Sequence, residues 1–105
     1  MEDPLLHEIV QTIVSYCNPQ GIWLYGSYAK GQARLASDID LLVVRDSPLT
    51  RGQRALEIRQ LFYDFPLRVD LVVLTPEEIA EELGRRYSFT SSIMKSAVEL
   101  YSRHG

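Results

Sequence analysis

Three aspartates stand at or inside strongly apolar segments of this 105-residue chain. Asp38 directly precedes the run 39–44, Asp40 is its second residue, and Asp70 lies inside the run 69–74. Because strand side chains alternate between faces, Asp38 and Asp40 would point to the same side, roughly 6.5–7 Å apart. If the two strands are neighbours, about 4.8 Å apart, Asp70 can project beside them. Three clustered carboxylates repel each other unless a cation lies between them, so we predict a Mg²⁺ or Mn²⁺ centre that also binds phosphates.

Each acid has a simpler explanation when it is considered alone. An Asp-x-Asp pair at the start of a strand is more often a cap or a surface pair. Asp70 is expected to be buried, which costs several kcal/mol unless the carboxylate is paired or metal-bound, and Arg68 or Arg45 could be its partner. The conjunction of all three acids with a glycine-serine turn favours the metal centre.

The glycine-serine turn supplies the complementary half of the predicted site. Gly26-Ser27 ends the apolar run 22–25, and ten residues separate Ser27 from Asp38. A glycine lets backbone N–H groups approach a phosphate closely, and the Ser27 hydroxyl adds a donor. Residues 27–30 are predicted to form a helical turn that Gly31 closes. The positive N-terminal end of this turn would face the anion. We therefore expect metals and backbone dipoles, rather than a covalent protein nucleophile, to stabilise the transition state.

The surrounding pattern predicts an α/β (α+β) fold with a small mixed sheet flanked by helices. The elements follow the order α-β-turn-β-α-β-α-α-β. Strands 22–25 and 39–44 are expected to be covered on both faces. The last apolar run is either a continued helix or an edge strand, and we favour the strand. The predicted helices cover about 4–17, 49–64, 76–83 and 89–96, and the predicted strands cover 22–25, 39–44, 67–74 and 97–101.

Composition narrows the class of protein further. The length predicts one domain over residues 1–105, and 46% apolar with 24% charged residues is typical of a folded protein. A net charge of −3 argues weakly against a nucleic-acid partner, although a local basic face is possible. A single cysteine excludes an internal disulfide, and no apolar run approaches the length of a membrane span, so we expect a cytoplasmic protein.

The spacing of the glycine-serine turn and the acids resembles the polymerase-beta-like nucleotidyltransferase superfamily. The run Gly-Ser-Tyr-Ala-Lys-Gly-Gln-Ala-Arg-Leu-Ala-Ser-Asp-Ile-Asp-Leu is similar to its minimal nucleotidyltransferase (MNT) group. The resemblance extends from Ile22 to about residue 101. It implies that the metal-binding, catalytic residues are Asp38, Asp40 and Asp70, and that the nucleotide-binding residues are Gly26, Ser27, Lys30 and Ser37. Lys30 departs from the arginine of many relatives, which keeps the charge but loses bidentate phosphate contact.

The same resemblance implies a substrate and a partner. MNT proteins are commonly paired with a HEPN-domain toxin and act as its antitoxin, transferring AMP from ATP to a tyrosine hydroxyl of the toxin. Because 105 residues leave little room for a second lobe, we expect another protein to complete the acceptor site. Two alternatives remain open: a catalytically silent antitoxin that acts by contact alone, and a transferase for small-molecule hydroxyls such as those of aminoglycosides.

Overall fold

The computed structural model describes residues 3–26, 39–85 and 87–103, which form four helices and four strands. The predicted order of these helices and strands is confirmed, including the final strand. The helices are α1 (Pro4–Cys17), α2 (Arg51–Arg59, followed by a 3-10 turn at Gln60–Phe62), α3 (Pro76–Leu83) and α4 (Phe89–Met94), and the strands are β1 (Gly21–Tyr25), β2 (Ile39–Val44), β3 (Val69–Leu74) and β4 (Val98–Ser102). None of these helices is long and apolar enough to cross a membrane.

The four strands form one mixed sheet in the order β3-β2-β1-β4. β2 and β3 run parallel, whereas β1 pairs antiparallel with both β2 and β4. The small mixed sheet expected from the sequence is therefore confirmed. In this order β2 lies between two strands, while β3 is at an edge.

One face of the sheet carries the apolar core. Alternate residues of three strands point to this face and pack against α1, α2 and the 3-10 turn. Burying such side chains contributes roughly 1.5–3 kcal/mol each. The core-facing strand residues are Ile22, Leu24, Ile39, Leu41, Val43, Val69 and Val73. β2 is buried along its length apart from Asp40, as expected, but Trp23 and Tyr25 of β1 are only half-buried, so full covering of β1 was a wrong prediction.

The helix starts are set by capping residues. Asp3 accepts hydrogen bonds from the backbone N–H groups of Leu5 and Leu6 at the start of α1. At the start of α3, Thr75 and Glu78 form a capping box.

The second predicted helix begins later than expected. Thr50 caps α2 through a capping box with Gln53. The prediction followed the spacing of the apolar residues and did not use this capping signal. Leu49 therefore precedes the helix, and the apolar side chain of Leu56 is 56% exposed. The third strand likewise begins at Val69 instead of residue 67.

A buried arginine fixes α2 against the open edge of β3. The Arg54 side chain is 4% exposed and donates hydrogen bonds to the carbonyl oxygens of Leu49 and Val73. It also forms a two-pronged ion pair with Glu78, at 2.6 and 3.0 Å. An edge carbonyl and a buried charge are thereby both satisfied.

Candidate functional site

Two of the three aspartates lie side by side on neighbouring strands. Asp40 and Asp70 are direct partners in the parallel pairing of β2 with β3. On the other side of β2, Asp40 is the antiparallel partner of Tyr25 in β1. Because directly opposed residues share a face of the sheet, the three side chains form one row across three strands. This row lies on the face opposite the apolar core.

Gly26 closes the row at the end of β1 and has a backbone that only glycine adopts readily. Its φ angle is +77°, in the left-handed region, which costs other residues roughly 1–2 kcal/mol. A Cβ atom at this position would lie 2.5 Å from Oδ2 of Asp40. The absence of a side chain therefore lets the Asp40 carboxylate lie directly against the turn where phosphate contacts were predicted.

The predicted burial of Asp70 is wrong. Its side chain is 33% exposed, and its Oδ1 accepts a hydrogen bond from Nε of Arg68 at 3.1 Å. β3 lies at the sheet edge, where a side chain has a neighbouring strand on one side only. The carboxylate therefore avoids the full cost of desolvation without a metal, and Arg68 is the partner that the sequence left open.

Four predicted site residues lie outside the part of the chain that the structure describes. Ser27, Lys30, Ser37 and Asp38 belong to residues 27–38, as does the predicted helical turn, so their roles stay predictions. Within the described ranges no group of three acidic, histidine or cysteine side chains could hold a metal ion. The described pair nevertheless fits a hard divalent cation, because two adjacent carboxylates provide the oxygen ligands that Mg²⁺ and Mn²⁺ prefer.

An aromatic pair borders the acids on the β1 side. Burial, together with the negative charges of Asp40 and Asp70, raises the pKa of Tyr25 to about 12, so its hydroxyl stays protonated at neutral pH. The ring of Phe89, the first residue of α4, meets the ring of Tyr25 edge to face, with centroids 6.1 Å apart. The sequence did not identify Phe89 as a site residue. The proximity of the two rings depends on how α4 returns to the sheet, which no local pattern reveals.

Comparison with known proteins identifies the class to which this fold and site belong. The sequence matches the family described as Nucleotidyltransferase domain over residues 5–100. It is also 34% identical, over 84 residues, to Probable protein adenylyltransferase MntA of Haemophilus influenzae, covering 75% of this chain and 73% of that protein. The chain therefore belongs to the nucleotidyltransferase domain family, within its MNT group, and is a nucleotidyltransferase.

Solved structures share the fold. A Sulfolobus solfataricus protein assigned as a nucleotidyltransferase superposes with a TM-score of 0.66 at 23% identity, over 95% of this chain and 79% of that one. A toxin–antitoxin complex with AMP-PNP gives 0.66 at 23% identity, over 91% and 72% of the two chains. A complex of tri-AMPylated Shewanella oneidensis HEPN toxin with MNT antitoxin gives 0.59 at 22% identity, over 95% and 71%. The predicted polymerase-beta-like fold is confirmed.

Proposed function

We propose that this chain is a protein adenylyltransferase of the MNT type, which neutralises a HEPN-domain toxin by transferring AMP from ATP to a tyrosine hydroxyl. The observation that carries the proposal is the pairing of Asp40 with Asp70 on adjacent parallel strands, with the side-chain-free Gly26 against the Asp40 carboxylate. The similarity to MntA and to a complex that contains an AMPylated HEPN toxin supports a HEPN protein as the acceptor.

The proposed site residues have two roles, nucleotide binding and metal binding. Gly26 and Ser27 are proposed to hold the phosphates, with Lys30 and Ser37 as further nucleotide contacts. Asp38, Asp40 and Asp70 are proposed to hold Mg²⁺ or Mn²⁺. A bound divalent cation would neutralise charge on the phosphates as they react.

The proposed reaction exchanges one phosphorus–oxygen bond for another. The acceptor hydroxyl oxygen forms a bond to the α-phosphorus of ATP, and the bond between that phosphorus and the bridging α–β oxygen breaks. Pyrophosphate leaves with the electron pair of that bond. Asp70, at the exposed end of the row, assists by accepting the hydroxyl proton and passing it to water.

Intact-mass spectrometry of the HEPN partner tests the proposal. Wild type with ATP and Mg²⁺ should add whole AMP units to the partner, and Asp40→Asn should add none. Asp64→Asn, which removes an exposed carboxylate from the segment before β3, is the matched control and should retain transfer. A partner that keeps its mass with wild type, while its toxicity is still suppressed, would overturn the proposal.

One observation favours the contact-only antitoxin as a second candidate. The Arg68–Asp70 ion pair satisfies the Asp70 carboxylate without any metal. That candidate predicts equal suppression of toxicity by wild type and Asp40→Asn. The small-molecule transferase would instead release pyrophosphate with an aminoglycoside in the absence of a protein partner.

A further inference from the structure

We infer that Phe89, held against Tyr25, is the surface on which the nucleobase of the nucleotide substrate stacks. This inference deepens the proposed function and rests on it for the position of the phosphates. No base-contacting residue is implied by the glycine-serine turn or by the aspartates.

The position of the aromatic pair relative to the row carries the inference. In the sheet order, Asp70 is at the exposed β3 edge, Asp40 is in the middle, and Tyr25 with Gly26 lies on the β1 side. The acceptor hydroxyl must reach Asp70, so the nucleotide occupies the opposite, β1 side. A nucleoside attached to phosphates at Gly26 then extends over Tyr25.

The distances suit this arrangement. Tyr25 is directly opposed to Asp40 in the antiparallel pairing, and the centroid of its ring lies 6.1 Å from that of Phe89, so Tyr25 lies between the acid and the Phe89 ring. In a nucleotide the ribose likewise separates the base from the phosphates, so a base near Phe89 is compatible with phosphates near Gly26 and Asp40.

The surface of Phe89 is also available for stacking. The residue is 56% exposed although it is a large apolar side chain, and its contact with Tyr25 is edge to face, with an interplanar angle of 84°. An edge-to-face contact fixes one ring while leaving much of the other uncovered. A base stacking on that ring would remove exposed apolar surface from water.

Stacking on one aromatic ring predicts little choice of base. Every base has a π face, so a stacking surface tolerates all of them, in contrast to a site that reads donors and acceptors. ATP and GTP should therefore both depend on Phe89.

Nucleotide binding by Phe89 variants tests the inference independently of transfer. By calorimetry, Phe89→Leu should weaken ATP binding about tenfold, whereas Phe89→Trp should bind within about twofold of wild type. Inorganic tripolyphosphate, which has no base, should bind wild type and Phe89→Leu equally. Tyr16→Leu, in α1 at the opposite end of β1, is the matched control and should not change ATP binding.

Three results would overturn the inference. The first is an ATP affinity that is unchanged in Phe89→Leu, and the second is a loss of tripolyphosphate affinity as large as the loss of ATP affinity. The third is a change only in the KM for the protein acceptor, which would mean that Phe89 contacts the acceptor instead. Circular dichroism of Phe89→Leu excludes loss of the fold as the cause. Because ATP binding is measured without the partner, failure here is distinguishable from failure of protein AMPylation.

Discussion

Replacing Gly26 by alanine should damage both the fold and the proposed site. The left-handed backbone costs alanine roughly 1–2 kcal/mol. The new Cβ, 2.5 Å from the Asp40 carboxylate, must also push that group away by about 1 Å to reach ordinary contact distance. We expect a loss of about 2 kcal/mol in the free energy of unfolding and a fall in the melting temperature of about 10 °C.

The same substitution should also lower the rate of AMP transfer. A displacement of about 1 Å in a catalytic group can reduce the rate by about 10²-fold. Pyrophosphate release in the presence of ATP, Mg²⁺ and the acceptor protein should therefore fall by about that factor in Gly26→Ala, measured well below its melting temperature.

Gly52→Ala provides the matched control. Gly52 lies in the first turn of α2, and a Cβ there would meet no atom within 4 Å. Alanine should stabilise the helix by about 0.5–1 kcal/mol and leave the rate unchanged. If Gly26→Ala melted at the wild-type temperature and kept the wild-type rate, the argument that Gly26 makes room for Asp40 would be refuted.

Three further predictions concern the ion pairs. Arg54→Met should lower the free energy of unfolding by about 3 kcal/mol in a urea titration, because Val73 and Glu78 both lose their buried partner; a cost near zero would contradict the proposed anchoring role. The Arg54 guanidinium holds the pKa of Glu78 at about 2, below its usual 4.5, so the pair should stabilise the fold above about pH 5 and lose this effect as the pH falls towards 2. About a third of the Glu78 side chain is exposed, which weakens the pair. The free energy of unfolding of wild type should therefore exceed that of Glu78→Gln by about 2 kcal/mol at pH 7, and the two should be equal near pH 2. A difference that does not change with pH would exclude this linkage. Arg68→Gln should lower the Mg²⁺ concentration for half-maximal pyrophosphate release about twofold to fivefold, because Arg68 competes with the cation for Asp70; an unchanged or higher requirement would refute that competition.

The order of elements and the helix caps could be predicted from the sequence because they depend on local patterns. Asp3 and the Thr75–Glu78 capping box act on backbone groups only two or three residues away. The apolar run of β2 likewise identifies a strand that is covered on both faces. These features need no knowledge of which strands are neighbours.

The errors arose where tertiary position matters. Asp70 sits in a sequence as apolar as that of a central strand, yet β3 lies at an edge, so its carboxylate is partly exposed and paired with Arg68. The burial of Arg54 could not be predicted from local patterns, because its partners, Val73 and Glu78, are 19 and 24 residues away. The contact of Phe89 with Tyr25 is equally non-local.

The pairing of Asp40 with Asp70 is the part of the predicted site that the arrangement of the strands tests. The sequence suggested it only on the condition that β2 and β3 are neighbours, and the parallel register fulfils that condition. The roles of both residues in metal binding and transfer remain proposals, as do those of Asp38 and Ser27.

The fate of the α-phosphate tests the central claim most directly. ATP labelled with ³²P at either the α or the γ position is incubated with Mg²⁺, this protein and the HEPN partner, and label on the partner is measured. Transfer of AMP predicts that the α label appears on the partner, that the γ label is released in pyrophosphate, and that Asp40→Asn abolishes both. Label from the γ position on the partner, or α label that persists in Asp40→Asn, would contradict the account.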